Sequence, residues 1–162
     1  MITEAVLLDP CPGGTTYPRD ADRTDAASVA LVSDEEGAPT SLEQQVARYP
    51  SAAIARDAFE GYRRAVAACP TRTTGTVTVR HELVGSGRRG GVETLLVRWS
   101  SSDTQPDAAV LCCFQYYAVQ RSADAVSVLV AASGGDGDPQ VALLEPFAEA
   151  AGARLATVVR GR

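Results

Sequence analysis

A chain of 162 residues, 45% hydrophobic and 22% charged, fits one globular domain spanning residues 1–162 with a core to bury. Its 15 basic and 20 acidic residues leave a net charge of -5, which excludes the dense positive surface that nucleic-acid binders need. Every basic residue is Arg and there is neither Lys nor Asn, so P-loop, Schiff-base and protein-kinase chemistry all lack an obligatory side chain.

A single histidine, His81, excludes multi-histidine zinc sites, and no metal or other cofactor is expected. The longest apolar runs, Ala108–Phe114 and Ala125–Ala132, fall well short of the roughly 20 residues of a membrane span. Residues 1–10 have neither a basic leading region nor a long apolar stretch, so they do not read as a signal peptide.

In chain order, Pro10 to about Pro39 is rich in Gly, Thr, Asp and Pro. It predicts an irregular arm over residues 1–40 with an edge strand at Ser28–Val32, ahead of a core at 41–158. Leu42–Tyr49 has strand character, and Pro50-Ser51 ends it and supplies a helix N-cap. A helix follows over Ala52–Ala68, where Ala55, Ala58, Phe59, Tyr62, Val66 and Cys69 form one apolar stripe that Pro70 stops.

Thr76–Val84 alternates, so Val77, Val79, His81 and Leu83 are expected on a buried face opposite Thr76, Thr78, Arg80 and Glu82. GSGRRGG at 85–91 reads as a turn into Val92–Ser100, and Asp103–Asp107 as the next turn. Val110–Val119 and Ala125–Ala132 complete four consecutive strands with short connections, an antiparallel meander. SGGDGDP at 133–139 then opens a last helix, with Asp138 as N-cap, Pro139 at its first position and Pro146 expected to kink or split it. The order predicts an α+β fold: an antiparallel sheet of a four-strand meander plus one or two N-terminal strands, with two helices packed on it.

Cys11 and Cys69 each precede Pro at an element boundary and suit a disulfide, for which reduced buried thiols are the alternative. Cys112 and Cys113 are strand neighbours facing opposite ways and read as core. Gly85-Ser86-Gly87-Arg88-Arg89-Gly90 matches a dinucleotide fingerprint, but it leads into a strand instead of a helix and is expected to be a hairpin turn. Asp136 with Asp138, and Asp34-Glu35-Glu36, lack a full cation-ligand set and read as a cap and a solvated turn. Aromatic residues concentrate at Trp99, Tyr116 and Tyr117; since the two tyrosines face opposite ways, one of them with Trp99 and His81 is a candidate wall for an apolar ligand.

Three stretches, YPSAAIARDAFEGYRRAVAACP at 49–70, VETLLVRWSS at 92–101 and AVSVLVAASGGDGDP at 125–139, resemble a known family over roughly residues 40–155. They are similar to the extracytoplasmic sensor domain of PknH-type receptor kinases and the related secreted and lipoprotein sensor domains of actinobacteria. The resemblance implies an antiparallel sheet with helices, disulfides, a cleft and a sensing role without catalysis; Cys69 matches the family's helix-terminal Cys, whereas its last-helix Cys is missing near Leu155.

The function expected is therefore a non-enzymatic, extracytoplasmic ligand-binding or sensor-type domain. Its candidate ligand residues are Trp99, Tyr116, Tyr117 and His81, and its expected partner is a small or apolar molecule. One rival is a small hydrolase or isomerase using His81 with Cys112, Cys113, Glu82 or Glu93. The other is a protein-interaction module in the manner of Mog1/PsbP-like folds. A cell-surface or extracellular location is expected, with the cytoplasm as the alternative.

Overall fold

The computed structural model describes residues 22–32, 41–103, 113–132 and 141–160. Its elements in order are β1 (Asp25–Val32), β2 (Ser41–Arg48), α1 (Ala52–Ala68), β3 (Thr71–Thr74), β4 (Val77–Arg89), β5 (Val92–Asp103), β6 (Cys113–Ser122), β7 (Ala125–Ala132) and α2 (Val141–Arg160). The strands form one antiparallel sheet in the order β1-β2-β7-β6-β5-β4-β3. The fold is α+β as expected, with the β4–β7 meander extended by an N-terminal hairpin on one side and by β3 on the other.

The helices cover opposite faces of the sheet. Ser51 caps α1, its Oγ accepting from the Ile54 amide at 3.3 Å. The α1 stripe packs Phe59, Tyr62 and Val66 against Leu95, Val97, Tyr117, Val119, Val126 and Val128. On the other face Leu144, Ala148 and Ala151 of α2 meet Tyr116, Ala118, Leu129 and Ala131. With both faces covered, β6 and β7 are buried along most of their length, which is why their sequences are nearly continuous apolar runs.

Four local readings are corrected. The edge strand expected at Ser28–Val32 is present but longer, starting at Asp25 and pairing with β2 along its whole length. β3 was not foreseen because all four of its residues are exposed and carry no burial alternation. β4 runs on through Arg89, and the turn is only Gly90-Gly91, whose φ values of 59° and 86° suit a tight hairpin. α2 is unbroken from Val141 to Arg160, with Pro146 exposed near its start, where the missing N–H costs one backbone bond.

The expected buried face of β4 is realised at His81, while Val77 and Leu83 are exposed. The pairing of β4 with β5 shifts between Leu83 and Gly85, a bulge that reverses the alternation. Before it, His81 shares the α1 face with Trp99; after it, Gly85 and Gly87 stand opposite Leu96 and Thr94 on the α2 face. Cys69 closes α1 and is disulfide-bonded. Cys11, the partner expected for it, lies outside the described residues.

Candidate functional site

α2 lies over β6 and β7 and meets β5 only at its margin, so among the described residues the outer part of the β4–β5 hairpin is not covered by a helix on that face. Between the two is a cavity of about 890 Å³, a size ordinary for a small-molecule site. Val92 and Leu96 of β5 and Ala148, Ala153 and Ala156 of α2 supply apolar walls. Gly85 and Gly87 form the floor, delivered there by the bulge. A Cβ on Gly87 would meet nothing within 4 Å, so the floor opens directly into the cavity.

The buried polar wall group is Gln120, 2% exposed. Its Nε2 donates to the Ala148 carbonyl at 2.7 Å and, more weakly, to Thr94 Oγ1 at 3.5 Å, which identifies the other end of the carboxamide as the oxygen. Oε1 is buried with no hydrogen-bond partner. Gly152 makes this arrangement possible: a Cβ there would fall 2.9 Å from Gln120 Nε2 and 3.4 Å from Val92 Cγ1. Gln120 belongs to a polar row across the α2 face, with Thr94 on β5 and Ser127 on β7, and Gln44 Nε2 donates to Ser127 Oγ at 3.0 Å. At the mouth, Arg89 at the hairpin tip pairs with Glu149 of α2, both exposed.

On the α1 face, Arg121 donates from Nε to Glu93 Oε2 at 2.7 Å with its side chain only 8% exposed. That hydrogen bond, aided by the charges of Arg121, Arg88 and Arg56, holds the Glu93 carboxyl below its ordinary range.

The aromatic candidates divide between the faces. His81 is buried with its ring 6.4 Å from that of Tyr117, tilted by 55°. Tyr117 is fully buried in the α1 core, where burial pushes its phenol up, and Trp99 packs half-buried on the same core opposite His81. Tyr116 lies beneath α2 and hydrogen-bonds Arg98. The structure thus brings His81, Trp99 and Tyr117 together, sets Tyr116 apart, and places none of the four on the cavity.

Of the rival carboxylates, Glu82 faces away from His81 and pairs with Arg98, while Glu93 is held by Arg121. Cys112, Asp34-Glu35-Glu36, Asp136 and Asp138 lie outside the described residues. Among the described residues no group of three His, Cys, Asp or Glu could hold a metal ion, and no helix is long and apolar enough to cross a membrane.

Gln120, Thr94, Gly87 and Gly152 were missed as site residues. Two signals were present: Gln120 interrupts a run that is otherwise a buried strand, and Gly152 interrupts an alanine-rich helix.

No protein-family model matches the chain, and no curated protein matches it. Among solved structures it is similar to the extracellular domain of PknH from Mycobacterium tuberculosis, with a TM-score of 0.51 and 13% identity over 87% of this chain. The match covers 66% of that domain, so this chain spans just under two thirds of its length. At that identity the likeness is one of fold.

Proposed function

We propose that the chain is an extracytoplasmic, sensor-type domain that binds a small, mostly apolar molecule between α2 and the β4–β5 hairpin, without catalysis. The cavity carries the reading: a space of about 890 Å³ whose lining, among the described residues, includes neither His nor Cys and whose floor is bare glycine backbone. The disulfide at Cys69 supports an oxidising compartment, and the fold likeness to an extracellular domain points the same way. In this reading Trp99, Tyr117 and His81 hold the α1 core, and Tyr116 braces α2.

Titration with N-phenyl-1-naphthylamine, a neutral apolar dye whose emission rises on leaving water, tests the proposal. Saturable one-to-one binding is expected, together with its loss in Gly87→Phe/Ala153→Phe, which fills the cavity from floor and wall. Equal binding by that variant would place the dye elsewhere and remove the proposal.

A further inference from the structure

We infer that the cavity selects a neutral amphiphile with an apolar body and a hydrogen-bond-donating head, of the alcohol or amide kind, whose donor pairs with Gln120 Oε1. The inference rests on the cavity being a ligand site and adds the chemistry of what enters it.

An acceptor buried without a partner is destabilising because its hydration is lost with nothing in return, so its persistence calls for an explanation. Gln120 is 2% exposed and forms part of the cavity wall, and Oε1 is its open valence, because Nε2 is already committed to the Ala148 carbonyl and Thr94. Gly152 is the second half of the device. A helix-interior glycine is intrinsically unfavourable, and here the missing side chain is what lets the carboxamide seat under α2 beside the cavity. A donor that reaches Oε1 from the cavity would satisfy this acceptor and extend the polar row of Thr94, Gln120 and Ser127 on this face.

The charges argue for a neutral head. The charged side chains lining the cavity balance, Arg88 and Arg89 against Glu145 and Glu149, with Arg89 already paired with Glu149, so the lining has no net charge to favour an ionised head. Val92, Leu96 and the α2 alanines suit an aliphatic body.

The test is displacement of N-phenyl-1-naphthylamine by 1-decanol, decyl methyl ether and decanoate. The ether keeps the chain and loses the donor; the acid carries a charge. Wild-type protein should bind decanol about tenfold more tightly than either, the worth of one hydrogen bond of about 1–1.5 kcal/mol. Gln120→Leu should bring alcohol and ether together, and Gln120→Met, closer in shape, serves if the leucine variant does not fold.

Equal displacement by alcohol and ether in wild type overturns this inference while leaving the cavity reading intact. A preference for alcohol that survives in the Gln120 variant overturns the role of Oε1. Failure of wild-type protein to bind the dye or decanol overturns both readings.

Discussion

Gly152→Ala should destabilise the protein, although a glycine-to-alanine change inside a helix ordinarily stabilises it by about 1 kcal/mol. The added Cβ would stand 2.9 Å from Gln120 Nε2 and 3.4 Å from Val92 Cγ1. A flexible side-chain end can often move aside, but this one is buried and held at 2.7 Å from the Ala148 carbonyl. Displacing it forfeits a hydrogen bond of about 0.5–1.5 kcal/mol, and overpacking adds roughly 1–3 kcal/mol. The net expectation is a loss of about 0.5–3.5 kcal/mol, or several degrees in Tm for a chain of this size. Urea denaturation of Gly152→Ala, Gln120→Ala and the double variant isolates the cause. With Gln120 shortened, the 2.9 Å clash is gone and only the 3.4 Å approach to Val92 Cγ1 remains, so Gly152→Ala should become neutral or stabilising. An increase in stability from Gly152→Ala in the wild-type background would refute the reasoning.

Other expectations follow from the same contacts. Tyr117→Phe removes a buried hydroxyl without a hydrogen-bond partner and should leave stability unchanged or raise it by about 1 kcal/mol in urea melts. Glu93→Gln strips the counter-charge from the buried Arg121 and should cost about 1–3 kcal/mol at pH 7. Because the Glu93 carboxyl is depressed in the folded state, its contribution is fully present above the ordinary value of 4.5 and is lost as pH falls through the lower folded value. Wild type should therefore lose more stability than Glu93→Gln between pH 6 and pH 3. Arg89→Ala breaks an exposed pair and should change stability by less than about 1 kcal/mol, while dye release measured by stopped flow quickens because the contact between hairpin tip and α2 is gone.

The meander, α1 and its cap were legible because each rests on local signals: alternation in Val92–Ser100, a three- and four-residue stripe ending at Pro70, and Ser51 ahead of it. The opposite orientations of Tyr116 and Tyr117 followed from strand parity and hold, one beneath each helix. The cavity was not legible, because it depends on a register shift. Read without the bulge, Gly85 and Gly87 belong to the His81 face or to a turn; with it, they lie across the sheet as the floor beneath α2. The aromatic candidates were sound as core residues, but which face α2 would leave open is a matter of helix placement that periodicity does not encode. Gln120 and Gly152 are far apart in sequence, and their partnership exists only where α2 docks.

The most direct test maps backbone amide chemical shifts while 1-decanol is added to the isotopically labelled protein. Shifts concentrated at Gly85, Gly87, Thr94, Leu96, Gln120 and Gly152, with His81, Trp99 and Tyr117 unmoved, are the predicted result. Shifts centred on His81, Trp99 and Tyr117, or none at all, would contradict a ligand site between α2 and the β4–β5 hairpin.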